Sequence, residues 1–167
     1  MKNILLLVAV ALSSISCSNA QKKEFSKSTL ESIVITSEGK KITFKEVLDN
    51  YKGTTLLVEV WASWCSDCVK SAPLIKELQE KNSDVSYAFI SLDKSMEKWI
   101  AGVEKHQMKG DHYWLNDPEG MKGAFGQSID LDWIPRYMVI DKEGTVVIYR
   151  ATETDFEKIN ATLNNLK

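Results

Sequence analysis

The sequence lacks most of what would tie it to nucleic acid, to a membrane-spanning role or to a resident metal. It has 21 Lys and Arg against 23 Asp and Glu, a formal charge of −2, and no dense basic run, which argues against a nucleic-acid partner. Its longest apolar run, Ile4 to Leu12, is far short of the roughly 20 residues needed to cross a bilayer. Only His106 and His112 are present to complete a metal site with cysteine, and a structural zinc needs four such ligands. There is no internal repeat and no low-complexity tract. What remains is 167 residues, 44% hydrophobic and 26% charged, a soluble composition with room for one domain and a full core.

Composition is biased only at the start. Met1-Lys2-Asn3 gives a short positive segment, and the apolar run after it has the length of a signal-peptide core. Export is therefore predicted. Two processing sites compete. Ser14-Ile15-Ser16-Cys17 resembles a bacterial lipobox in which Cys17 becomes lipid-modified, although Ser14 stands where leucine is usual. Ser18-Asn19-Ala20 offers small residues for ordinary cleavage before Gln21. The lipoprotein reading is preferred, because Cys17 otherwise has no evident role. Residues 1–20 are then a signal, 21–29 a polar tether and 30–167 the folded domain. Cys65 and Cys68 would be the only cysteines left in the mature fold.

Along that domain, Ile33–Ile35 and Lys41–Thr43 read as a hairpin, and Phe44–Tyr51 as a helix ended by Gly53. Thr54–Trp61 and Val85–Leu92 read as long strands. Cys65–Lys81 reads as a helix interrupted by Pro73, and Ser95–His106 as a helix capped by Ser95. Tyr113–Leu115 is extended, and Asp117-Pro118 opens a short helix to about Phe125. A hairpin over 136–140 and 145–150 precedes an amphipathic helix from Thr154 to Leu166. This order fits a central mixed sheet with helices on both faces, an α/β fold.

The chemistry gathers in Trp61-Ala62-Ser63-Trp64-Cys65-Ser66-Asp67-Cys68, where a buried strand hands over to a helix. A CxxC alone is ambiguous, since half a zinc site has the same spacing. At a helix N-terminus, free N–H groups and the helix dipole favour a thiolate, the reactive form of cysteine. A disulfide closed over so few residues contributes little stability, so a purely structural bond is a poor explanation. Asp67 next to the thiols disfavours the thiolate, which would lean the pair towards reduction; it also suits the first turn of a helix as an acid. Glu59 lies in the middle of an apolar strand, where charged residues are rarely buried without a role; the alternative is an edge strand with Glu59 facing solvent.

Val58 to Cys68, with Pro73 and Ile134-Pro135, resembles the thioredoxin-fold thiol-disulfide oxidoreductases. Ser91-Leu92-Asp93 and the segment from Ser95 to Gly123 are more similar to the TlpA/ResA branch, exported membrane-tethered proteins related to the peroxiredoxin-like AhpC/TSA group. The resemblance covers roughly residues 30–167. It implies a thioredoxin fold with an N-terminal hairpin extension and an inserted helical segment. It implies an exposed Cys65 as nucleophile, Cys68 as resolving cysteine, and Glu59 as a buried proton acceptor of raised pKa. It also implies a cis Ile134–Pro135 bond facing the cysteines, with Ile134 and Trp64 binding substrate. Trp133 departs from the family pattern, and a bulky ring there would narrow the groove or give an apolar platform.

The expected activity is thiol-disulfide exchange in the periplasm or cell envelope, with the protein lipid-anchored to a membrane. Partners would be disulfide-bearing envelope proteins, apocytochrome c among the candidates, and a membrane thiol-reducing electron donor. No cofactor is expected beyond the cysteine pair. A peroxiredoxin-like peroxidase and a metal-delivery module using the same cysteines are the alternatives.

Overall fold

The structure, a computed structural model, describes residues 22–167. The predicted signal and Cys17 lie outside the described residues. In chain order the elements are α1 (Lys27–Leu30), β1 (Ile33–Thr36), β2 (Lys41–Thr43), α2 (Phe44–Asp49), β3 (Leu56–Trp61), α3 (Ser66–Lys81) and β4 (Ser86–Ser91). They continue with α4 (Met96–His106), β5 (Asp111–Trp114), a 3₁₀ turn (Gly120–Lys122), α5 (Ala124–Ser128), β6 (Arg136–Ile140), β7 (Val146–Ala151) and α6 (Phe156–Asn165).

The strands form one mixed sheet in the order β2-β1-β5-β4-β3-β6-β7. Every residue of β3 is buried, because it lies at the centre: parallel to β4 on one side and antiparallel to β6 on the other. The parallel pairs β3–β4 and β4–β5 each require a crossover, supplied by α3 and α4. The hairpin β1–β2 extends the sheet by antiparallel pairing of β1 with β5. No helix among the described residues is long and apolar enough to cross a membrane.

Several boundaries differ from expectation, each for a local reason. Helix α3 runs without a break through Pro73: Ala72, Ile75 and Leu78 are buried against the core, and that packing outweighs the one backbone donor proline removes. The single helix expected from Asp117 to Phe125 is instead a 3₁₀ turn followed by α5, separated at Gly123, whose backbone is extended (φ −72°, ψ 177°). Residues 22–29, expected as a tether, hold several contacts. Ser26 caps α1, the Val146 N–H donates to the Lys23 carbonyl at 2.8 Å, and Phe25 meets Phe44 edge to face at 5.2 Å. One aromatic residue in a polar stretch gave too little pattern to reveal this.

Helix α4 comes close to the turn that carries the cysteines. A Cβ placed on buried Gly102 would lie 2.7 Å from the Ser63 Cβ and 3.2 Å from the Trp61 ring. Gly102→Ala should therefore destabilise the protein by about 1–3 kcal/mol through overpacking, read as a lower urea midpoint with an unchanged slope.

Candidate active site

Strand β3 ends at Trp61, and Cys65 is the N-cap of α3, with extended backbone (φ −78°, ψ 112°). The Cys68 N–H donates to the Cys65 sulfur at 3.1 Å, so sulfur fills the role an Asp or Ser oxygen usually takes at a helix start. Cys65 and Cys68 are joined in a disulfide, with Cα atoms 5.3 Å apart. The turn leading to them is anchored from β4. The buried Asp93 carboxylate accepts hydrogen bonds from the Ser63 N–H at 3.1 Å, the Ser63 hydroxyl at 2.7 Å and the Ser91 hydroxyl at 2.8 Å. The Trp114 indole N–H holds the Asp93 carbonyl at 2.7 Å. Asp93 entered the sequence reading only as part of a strand-end motif; its anchoring role required the fold.

The peptide bond between Ile134 and Pro135 is cis, and the Ile134 carbonyl oxygen lies 3.4 Å from the Cys65 sulfur. Cys65 is not exposed as expected: it is 6% accessible, and Cys68 3%. Cys65 lines a groove of about 250 Å³ whose other walls include Trp64, Asp67, Met121, Trp133 and Ile134. Trp64 and Trp133 remain about half exposed. The sulfur is thus reached through a mostly apolar cleft. Met121 comes from the inserted 3₁₀ turn and was not foreseen, since nothing local to it signals a contact so distant in sequence.

A buried arginine holds the loop that carries Trp133. Arg136, fully buried, donates to the carbonyls of Ile129 and Asp130 at 3.3 Å each and to Asp132 at 2.6 Å. Asp132 also pairs with Arg150. Around the cysteines the charge is muted, because Asp67 pairs with Lys70 at 3.2 Å.

Glu59 is 1% exposed in β3, not at a solvent-facing edge. Burial raises its carboxyl pKa to about 8, and the Tyr137 hydroxyl pulls slightly the other way. Tyr137 stands opposite Glu59 in the β3–β6 register, with its hydroxyl 3.5 Å from Oε1 and 3.0 Å from the Ser71 oxygen. Tyr137 and Ser71 were both missed, because strand pairing and helix docking, not sequence spacing, bring them to Glu59. Of the two histidines, His112 stacks on Phe89 at 4.7 Å and its Nε2 lies 3.0 Å from the Met108 carbonyl, while His106 meets Trp61 edge-on. Among the described residues no group of three or more His, Cys, Asp or Glu side chains is gathered to hold a metal ion.

Known proteins share this architecture. A family model described as Thioredoxin-like matches residues 52–146. The thiol-disulfide oxidoreductase ResA of Bacillus cereus (strain ATCC 10987 / NRS 248) is 30% identical over 132 residues, 78% of this chain and 71% of that protein. ResA of Bacillus anthracis is 28% identical over 148 residues, 87% of this chain and 80% of that one. A Bacteroides vulgatus thiol-disulfide oxidoreductase candidate, solved in solution, superposes with a TM-score of 0.66 at 26% identity, covering 92% of each chain. A Chlorobium tepidum candidate for the interchange protein DsbE has a TM-score of 0.67 at 17% identity, covering 87% of this chain and 97% of that one, a likeness of fold.

The raised Glu59 pKa makes a stability prediction. Between about 4.5, its ordinary value, and about 8, the folded state holds a proton that the unfolded state has released. Stability from this group is therefore intact below 4.5 and is lost as pH rises through 8, at up to about 1.4 kcal/mol per pH unit. Denaturant titration of Glu59→Gln across that range should show this decline removed.

Proposed function

Because this chain belongs to the thioredoxin-like family, among the thiol-disulfide oxidoreductases related to ResA, we propose that it reduces disulfides of proteins in the cell envelope. The proposal includes export by the N-terminal signal, lipid attachment at Cys17, apocytochrome c as one substrate and re-reduction by a membrane thiol donor. It rests chiefly on one observation: the Cys65 sulfur caps a helix, is bonded to Cys68, and lines an apolar groove beside the Ile134 carbonyl.

In the reduced protein the Cys65 thiolate is stabilised by the Cys68 N–H and the helix N-terminus. It attacks one sulfur of the substrate disulfide, forming a mixed disulfide and expelling the other substrate sulfur as a thiolate. Glu59, ionised in a minority of molecules at pH 7 and increasingly as pH rises towards 8, takes the proton of Cys68 in its carboxylate form, and the Cys68 thiolate attacks the Cys65 sulfur. That releases the second substrate thiolate and leaves the Cys65–Cys68 disulfide. Two electrons have passed to the substrate, and a dithiol donor must restore them. A carboxyl raised by burial to a pKa of about 8 is suited to taking up a proton near neutral pH. Trp64 and Trp133 would grip apolar residues flanking the substrate cysteine, while the Ile134 backbone aligns the bound segment.

Cys68→Ser should accumulate a mixed disulfide through Cys65 with substrate, seen on non-reducing gels, and Cys65→Ser should abolish insulin reduction. Loss of insulin reduction in neither variant would sink the assignment. Trp133→Ala should raise KM for a peptide disulfide with a bulky neighbour on the order of tenfold, since losing about 1.4 kcal/mol of apolar contact has that effect, while kcat changes little. Cys17→Ala in the full chain should move the protein from the membrane fraction to the soluble one.

A further inference from the structure

We propose that Tyr137 and Ser71 form a hydroxyl bridge that holds the Glu59 carboxyl and couples its protonation to the turn of α3 bearing Cys68. The inference deepens the reading of Glu59 as proton acceptor and rests on it for its bearing on thiol exchange. Tyr137 and Ser71 act here as positioning residues.

The bridge follows from donor counting among buried groups. Glu59, Ser71 and Tyr137 are 1%, 2% and 0% exposed, so water does not freely substitute for a missing partner. The Ser71 hydroxyl faces two helix carbonyls, Asp67 at 2.9 Å and Cys68 at 3.1 Å. Its single proton is committed there, which leaves its oxygen as an acceptor. Tyr137 also has a single proton and two acceptors in reach: Ser71 at 3.0 Å and Glu59 Oε1 at 3.5 Å. The shorter contact matches a neutral Glu59, with the Tyr137 proton on Ser71. When Glu59 ionises, the Tyr137 proton turns to the carboxylate and Ser71 loses its donor. The charge on β3 is thereby felt one turn from Cys68. Nothing else competes for the carboxyl, since Glu59 Oε2 has no partner among the described residues.

The surroundings are otherwise poor in charge. From β6 the group facing Glu59 is Tyr137, and beyond its hydroxyl on α3 stands Ser71, three residues after Cys68. At the β4 register position stands Phe89. Phe156 of α6 packs on the Tyr137 ring at 5.2 Å, and Glu153, just before α6, bears on Tyr137 as a second acid. Among the described residues the charges that bear on Tyr137 are the acids Glu59 and Glu153, and the Tyr137 hydroxyl is what favours an ionised Glu59.

The two halves of the bridge predict opposite effects, which a general disturbance of packing would not produce. The test is NMR titration of 13C-labelled glutamate carboxyls in the oxidised full chain, alongside the pH profile of insulin reduction. Tyr137→Phe removes the donor and should raise the Glu59 midpoint by roughly half a pH unit or more. Ser71→Ala leaves Glu59 as the sole acceptor for Tyr137 and should lower it. The kinetic inflection should follow in both, and should vanish in Glu59→Gln with or without Tyr137→Phe. A Glu59 midpoint unmoved by Tyr137→Phe, or moved the same way by both variants, overturns the bridge. Midpoints that move in opposite directions, with a rate profile indifferent to Glu59→Gln, support the bridge and overturn the proton-acceptor reading.

Discussion

The hydrogen bond from the Cys68 N–H to the Cys65 sulfur is the contact around which the site is organised. A helix start leaves backbone donors without partners, and here the acceptor is the sulfur on which the proposed reaction develops negative charge. The geometry works only if the chain leaves β3 and enters α3 at a fixed angle. Asp93 imposes that angle by holding Ser63 through backbone and side chain together, and Gly102 lets α4 approach closely enough to support the turn. From the opposite side, the cis bond before Pro135 brings the Ile134 carbonyl to the sulfur, and buried Arg136 ties down the loop that precedes it.

Charge at the site is kept low. Asp67, the acid nearest the thiols in sequence, is paired with Lys70, which blunts the push towards reduction that its position alone implies. Glu59 is neutral for the most part at pH 7, given a pKa of about 8, so it adds little negative charge to the interior of the sheet. The helix N-terminus thus faces little opposing charge around the Cys65 sulfur.

Much of this was legible in the sequence. The apolar run ending at Trp61, the CxxC at a helix start and the late Ile134-Pro135 pair identify the fold, and the family match over 52–146 bears that reading out. The mixed sheet and its N-terminal hairpin follow from strand and turn patterns that are local. What escaped notice was non-local. Tyr137 reaches Glu59 only through strand register, Met121 reaches the groove only through folding of the insertion, and Phe25 docks on Phe44 from a stretch that is otherwise polar. Cys65 looked exposed because a helix start usually is; Trp64 beside it forms one wall of the groove, but the walls from Met121, Trp133 and Ile134 come from loops distant in sequence.

Redox equilibration of the Cys65–Cys68 couple against defined thiol buffers most directly tests the proposal that the protein is a reductant. A reductant gives a single two-electron transition at about −250 mV or lower. A potential near about −120 mV, the range of a strong oxidant, would contradict it.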